Sequence, residues 1–275
     1  MIIAEKKGLV LGASRGIGLA IARTLASQGV RLALPWFDWP ESARAMEEEF
    51  ESPNGRHLTL RVDLREPGEV ASLIAKIEEK LGGLDILINN IERGGMPILH
   101  GGYQREVNRE QWQLEMETTL HAKWRVFEQS LPLLRQSREA VVVNLSSIAG
   151  LIGRSGPTGL LFNDGYAAAN RAVSSLTETW ARMGAPTIRV NEIMLGLIDT
   201  RHGPGTRGWQ LLTKEQQQSL VAHTLLQRTG TPEEVAQSVL FLVRDADFLT
   251  GTVLRMDGGY MLGGEKPPDM PEGVL

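Results

Sequence analysis

Three groups of residues in this chain have types and spacings that can do chemistry. The first is Gly12-Ala13-Ser14-Arg15-Gly16-Ile17-Gly18, set between the apolar run Leu9-Val10-Leu11 and an amphipathic stretch from Ile17 to Ala26. One glycine there permits a tight turn, the next lets backbone approach a pyrophosphate, and the last lets helix and strand pack closely with the helix N-terminus facing the anion. The second is the hydroxyl pair Ser146-Ser147, and the third is Tyr166, followed one helical turn later by Asn170. A phenol titrates near pH 10 and needs help to exchange protons at neutral pH. Asn170 can offer hydrogen bonds from that position, but no charge. Arg171 is rotated about 100° around the helix from it and is a poor substitute. Lys123, on the preceding helical stretch, is a further candidate cation, set against the ordinary reading of a lysine as a solvated surface group.

The elements that must position these groups alternate along the whole chain. Strand-like runs are expected at Leu9–Leu11, Arg31–Leu34, Leu58–Val62, Leu84–Ile88, Val141–Leu145, Ile188–Ile193 and Thr252–Met256. Between them lie helix-length amphipathic stretches at 17–26, 41–50, 70–81, 109–134 and 165–183, with a further helix opened by Pro232-Glu233-Glu234, where a proline lacking its N–H costs nothing. Alternation of this kind predicts parallel βαβ units, and the near-continuous apolar run at 84–88 suits a sheet covered on both faces. The fold class expected is therefore α/β, a doubly wound Rossmann-type parallel sheet with helices on both faces.

The glycine spacing, G-x-x-x-G-x-G, would also suit a plain structural turn. The strand before it and the helix after it favour a nucleotide loop. At this point the chain resembles the short-chain dehydrogenase/reductase family, in its common single-domain form. The landmarks occur in family order: the glycine loop, Asp63-Leu64, Asn89-Asn90, Asn144-Leu145-Ser146-Ser147, Tyr166, Arg189-Val190-Asn191, Gly196 with Thr200, and Asp257-Gly258-Gly259. The resemblance implies a cofactor site made by Gly12, Ser14, Arg15, Gly16, Ile17, Gly18, Asp63, Leu64, Asn90, Gly196 and Thr200. In that site Asp63 would bond the adenine amine, Asn90 would lie near the adenosine ribose, and Gly196 and Thr200 would border the nicotinamide and pyrophosphate. It further implies that Tyr166 exchanges a proton with the carbinol oxygen while a nicotinamide carries hydride, and that Ser147 bonds the same oxygen.

The chain departs from that family's pattern at several places. Asn170 stands where the family has a lysine, leaving hydrogen bonds to a ribose without the charge that lowers the phenol's pKa. Glu92 stands where a glycine is usual, Thr119 replaces a long-helix asparagine, and Leu195 replaces a proline. The segment from Gly156 to Phe162 lengthens the gap between Ser147 and Tyr166. For the cofactor, Arg15 suits a 2′-phosphate, and Asp38 comes late after the second strand, so NADP is expected over NAD. Trp36 is open to two readings, stacking on adenine or core packing.

The function expected is an NAD(P)-dependent oxidoreductase reducing a carbonyl of a small to medium apolar substrate, with Tyr166 as proton donor, Ser147 as oxyanion partner and Asn170 beside them. The alternatives are a weak or inactive member acting as a nucleotide-binding or partner subunit, and tyrosine-assisted proton chemistry without net redox. The segments Gly150–Asp164 and Gly196–Thr213 read as loops over the site. Gly196–Leu226 would act as a substrate lid jointed at Gly203, Gly205 and Gly208.

Composition narrows the class. With 275 residues, 42% hydrophobic and 23% charged, the chain can bury a large core, and residues 1–263 are expected to form a single dinucleotide-binding and catalytic domain with a tail at 264–275. A net charge of −4 gives no electrostatic reason for a nucleic-acid partner. The absence of cysteine excludes disulfides, thiol nucleophiles and cysteine metal sites, and fits the reducing cytoplasm. No metal site, signal peptide or membrane span is expected. The apolar stripe Trp112, Met116, Leu120, Phe127, Leu131 and Leu134, with the family resemblance, predicts a homo-oligomer, a tetramer or dimer joined partly through the long helices, while the same stripe would equally suit packing on its own sheet.

Overall fold

The computed structural model describes residues 1–51, 56–92, 106–200 and 212–264. Seven parallel strands form one sheet in the order β3-β2-β1-β4-β5-β6-β7. They are β1 (Lys7–Val10), β2 (Arg31–Trp36), β3 (Leu58–Arg61), β4 (Ile86–Asn89), β5 (Ala140–Ser147), β6 (Ile188–Leu195) and β7 (Val253–Met256). The α/β class and the doubly wound, all-parallel sheet are those expected.

Period-two alternation divides the strand side chains between two cores. Val10, Ile86, Ile88, Val141 and Val143 point to one face, where α1 (Gly16–Ser27), α2 (Pro40–Phe50) and α9 (Pro232–Arg244) cover them. Leu9, Leu87 and Val142 point to the other, under α3 (Pro67–Leu81), α5 (Ala122–Gln136) and α7 (Asp164–Gly184). Burial on both faces is the reason these strands read as unbroken apolar runs.

The chain passes from β3 at one edge back to β4 beside β1, so the strand order reverses between β1 and β4. A crevice opens at the carboxyl ends of strands flanking such a switch point. Here it is bordered by the glycine turn after β1 and by Asn90 to Glu92 after β4. The two are in close contact, since a Cβ on Gly12 would stand 2.6 Å from the Asn90 carbonyl oxygen.

Several expectations need adjusting. β2 extends through Pro35 and Trp36, and Trp36 packs against the first core with its indole N–H donating to Glu47 at 2.7 Å, which favours the packing reading over an adenine platform. The stretch read as one helix over 109–134 is α4 (Glu106–Glu115), a π-helical turn (Met116–His121) and α5. Its stripe turns inward over the second half. Phe127 stacks on Trp180 with ring centroids 4.1 Å apart, and Leu131 and Leu134 lie in the same core. The segment read as a loop at 150–164 contains the end of α6 (Ala149–Ile152) and a 3-10 turn (Pro157–Leu160), and α8 (Lys214–His223) begins just after the second loop. Gly203, Gly205, Gly208 and the prolines of the tail lie outside the described residues. Among the described residues no helix is long and apolar enough to cross a membrane.

Candidate active site

The glycine turn is built for backbone approach. Gly12 and Gly16 have φ of +68° and +53°, a region costly for any side chain bearing a Cβ. A Cβ on Gly18 would meet the Gly12 carbonyl oxygen at 2.1 Å. Arg15, the residue before α1, is extended and makes no side-chain cap bond to the first helical turn. Its guanidinium lies 4.2 Å from the Trp39 ring, while those of Arg61 and Arg65 lie over Phe37. Three arginines therefore gather beyond the ends of β2 and β3.

The pocket at the switch point is lined by Ile17, Asn90, Ile91, Glu92, Leu145, Ser146, Ser147, Tyr166, Leu195, Gly196, Ile198 and Thr200. Six of the fourteen residues singled out by sequence, Ile17, Asn90, Ser147, Tyr166, Gly196 and Thr200, thus meet in one place. Ser147 ends β5, and Gly196 follows β6 at the neighbouring strand end, where a Cβ would clash with Asp257 Cα at 2.7 Å. Tyr166 is set in the first turn of α7 by a side-chain cap, its N–H donating to Asn163 Oδ1 at 2.7 Å. The inserted segment closes on it, with Phe162 and Tyr166 ring centroids 5.7 Å apart. That segment is tied to the C-terminal turn through Tyr260, whose hydroxyl accepts from Thr158 N at 2.9 Å and donates to Thr158 Oγ1 at 3.1 Å.

Three expected contacts take another form. Asn170 does not line the pocket; it is fully buried, its amide donates to the Tyr166 carbonyl oxygen at 2.9 Å, and its Oδ1 has no hydrogen-bond partner among the described residues. Asp63 is held by Arg65, with Nε to Oδ1 at 2.8 Å and Nη2 to Oδ2 at 2.6 Å, and that guanidinium keeps its carboxyl below the ordinary carboxylate range. An adenine amine at Asp63 would have to share it. Leu64 packs against the second core, and its carbonyl accepts from Arg125 at 3.2 Å. Both serines of the pair line the pocket: Ser146 donates to Glu192, while Ser147 Oγ accepts from Ala149 N at 3.2 Å.

The structure brings two charges that the sequence singled out, Glu92 and Lys123, to the site and adds a third, Glu192. The Tyr166 hydroxyl donates to Glu92 Oε2 at 2.8 Å. Lys123 is not a surface lysine but 1% exposed, its Nζ donating to the Leu145 carbonyl oxygen at 2.5 Å. Burial pulls its pKa down to about 8 against the attraction of Glu92 and Glu192. Glu192 is buried within β6, where burial raises its pKa and hydrogen bonds from Ser146 and Ser174 oppose the rise. One signal for Lys123 was available: it fills the gap in the apolar stripe between Leu120 and Phe127, on the face that turned out to be core. Glu192 gave no such signal, since its strand also carries Arg189 and Asn191.

Comparisons with known proteins agree with this geometry. The family described as enoyl-(acyl carrier protein) reductase matches residues 12–261. The 3-oxoacyl-(acyl-carrier-protein) reductase FabG of Vibrio cholerae is 30% identical over 95% of this chain and 100% of its own, and that of Thermotoga maritima is 28% identical over the same shares. Among solved structures, a short-chain dehydrogenase/reductase, glucose/ribitol dehydrogenase, from Brucella melitensis superposes with a TM-score of 0.79 at 27% identity, covering 94% of this chain and 98% of that one. A blue fluorescent protein from a metagenomic library, in complex with NADPH, gives the same TM-score and identity over 94% and 99%. With its glycine turn, its serine and tyrosine at one pocket and its parallel sheet, the chain belongs to the short-chain dehydrogenase/reductase family of NAD(P)-dependent oxidoreductases.

Proposed function

We propose that this protein is an NADPH-dependent reductase of a carbonyl group in a small to medium apolar substrate. The observation that carries the reading is the convergence of the Tyr166 and Ser147 hydroxyls on the pocket that also holds Asn90, Gly196 and Thr200, beside a glycine turn that no side chain could enter. The fit to a dinucleotide rests on that turn and on the helix start it aims at the pocket. Gly12, Ser14, Gly16, Ile17 and Gly18 would hold the pyrophosphate, and Arg15 would meet the 2′-phosphate. When bound, the dihydronicotinamide supplies a hydride; Ser147 orients the carbonyl oxygen, and Tyr166 gives it a proton. The apolar residues Ile91, Leu195 and Ile198 in the pocket wall favour an apolar substrate body. A 3-oxoacyl thioester, the substrate type named for the FabG relatives, belongs in the assay panel.

Titration of the pure protein with NADPH and NADH, followed by nicotinamide fluorescence, tests the cofactor. NADPH oxidation across a panel of ketones and 3-oxoacyl thioesters tests the reaction, and Tyr166→Phe should lower it by about 10² to 10⁴. An unchanged rate in that variant would remove Tyr166 from the chemistry. A second reading, a weak or inactive nucleotide-binding subunit, is favoured by one observation: Glu92 stands in the pocket while Asn170 is turned away from it.

We also infer that residues 1–263 work as one unit, since the seven strands share one sheet, and that the protein is a homo-oligomer. Strand β7 ends the sheet with Val253 exposed, and Phe241 and Phe248 are exposed as well. An apolar sheet edge is commonly covered by a partner.

A further inference from the structure

The hydroxyl of Tyr166 does not stand alone at the pocket. It donates to Glu92 Oε2 at 2.8 Å, and Glu92 is itself part of the pocket wall. On the far side of that wall Lys123 reaches in from α5, fully buried, and bonds the carbonyl oxygen of Leu145, another wall residue. A carboxylate accepting from a phenol holds the phenol neutral, because loss of its proton would set two anions in contact. That is opposite in sense to a neighbouring cation. A phenol held in this way is a weak acid on its own account, yet it is well placed to pass a proton between its two neighbours.

We propose that Glu92 is the general acid–base of this site, exchanging its proton with the substrate oxygen through the Tyr166 hydroxyl, and that Lys123 is a positioning residue that sets the charge state of Glu92. The proposal rests on the reductase reading above. In reduction, a bound dihydronicotinamide would supply a hydride, with both electrons, to the carbonyl carbon, and the π pair of the C=O bond would pass to oxygen. That oxygen takes the phenolic proton of Tyr166. For this step Glu92 must be protonated and the bond reversed: the Tyr166 oxygen then takes the proton of the Glu92 carboxylic acid, and the resulting carboxylate, accepting from the Tyr166 hydroxyl as seen here, recovers a proton from solvent. Oxidation runs each transfer backwards, with Glu92 as the final acceptor. One hydride and one proton are consumed for each alcohol formed.

Among the described residues, the charged and titratable groups facing Glu92 are Tyr166 from α7 and Lys123 from α5, with Glu192 of β6 beyond Lys123. The Lys123 ammonium is present below about pH 8 and favours the Glu92 carboxylate, which is the state left after proton donation. Its burial keeps that field from being screened by solvent. Glu192, bonded by Ser146 and Ser174, offsets part of the same charge.

The test uses Glu92→Gln, Glu92→Asp, Glu92→Gly and Lys123→Met. First, ultraviolet titration of tyrosinate in cofactor-free protein, with Tyr166→Phe as reference, isolates Tyr166. Glu92→Gln should lower its pKa by about one unit or more. Second, Glu92→Gln should lower kcat by about 10² to 10⁴ with NADPH affinity retained, and Glu92→Asp should recover part of it. Third, reduction should decline as pH rises through the carboxyl's titration, and Lys123→Met should move that midpoint upward. If Glu92→Gly instead tightens NADPH binding and raises turnover, the carboxylate merely occupies cofactor space and the proposal is overturned. NADPH-dependent reduction by wild type with an unaltered rate and pH profile in Glu92→Gln overturns the proposal alone. Failure of wild type to bind NADPH in the fluorescence titration overturns the reductase reading with it.

Discussion

Asn170 donates its side-chain amide to the carbonyl oxygen of Tyr166, one turn back along α7, and so spends its donor inside the helix. A polar side chain back-bonded in this way serves the helix rather than the pocket. Asn170→Ala is therefore expected to retain kcat/KM for reduction within about tenfold of wild type, whereas Tyr166→Phe loses about 10² to 10⁴. Steady-state kinetics on the two variants check the contrast. A loss in Asn170→Ala as deep as that in Tyr166→Phe would return Asn170 to the reaction itself.

The parts of the fold legible in the sequence were those where one physical demand acts alone. Ile86–Ile88 and Val141–Val143 read as strands because both faces of the sheet are covered, so every position must be apolar. The glycine turn was legible because close backbone contact there leaves no room for a Cβ, so glycines recur at Gly12 after β1 and Gly18 in the first turn of α1. What stayed hidden depended on several elements meeting. The type of Lys123 signals solvent, and only the packing of α5 against β5 shows that its place in the apolar stripe outweighs its charge. Glu92 could be seen as a misfit at its position, but its contact with Tyr166 joins residues 74 apart in sequence. Trp36 had two readings until β2 was seen to run through it.

The arginines beyond β2 and β3 make a prediction about cofactor choice. A charge-assisted bond from Arg15 to a 2′-phosphate contributes about 1.5–3 kcal/mol. Arg15→Ala should therefore weaken NADPH about 10- to 100-fold and NADH less than threefold, with the NADPH effect shrinking at high salt. Fluorescence titrations with both cofactors measure this. Equal weakening of the two would assign Arg15 to the pyrophosphate or to its stacking on Trp39 instead.

Two glycines with opposite surroundings give a paired test of the turn. At Gly18 an added Cβ meets the Gly12 carbonyl oxygen at 2.1 Å, while at Gly68, in the first turn of α3, an added Cβ meets nothing within 4 Å among the described residues beyond its chain neighbours and its own helix backbone. Gly18→Ala should cost about 1–3 kcal/mol through overpacking of backbone, and Gly68→Ala should gain about 0.5–1 kcal/mol from reduced unfolded-state freedom. Denaturant midpoints of the two variants compare them directly.

Oligomeric state can be read by light scattering. The exposed Phe241, Phe248 and Val253, together with Trp124 on α5, predict a mass of two or four chains at micromolar concentration. A monomeric mass would count against a partner at the β7 edge. If the oligomer forms there, Val253→Glu should shift it towards smaller species, because a charge buried without a partner is costly.

The stability of the protein should record the burial of Lys123 through its pH dependence. The folded-state pKa, about 8, lies below the ordinary lysine value of 10.5. Between those two pH values the unfolded chain binds more protons than the folded one, so stability rises with pH across the window and the strain is fully present below it. The shift corresponds to about 3 kcal/mol, at 1.36 kcal/mol per pKa unit. Lys123→Met removes the titration, so wild type should gain stability relative to the variant by up to about 3 kcal/mol as pH rises from 7.5 to 10.5. Glu192, whose pKa burial raises, loses part of the charge facing it in that variant, which adds a constant cost to the variant rather than a lysine titration. Urea unfolding of both proteins across this range measures the difference, and parallel pH curves would place the Lys123 ammonium in contact with water.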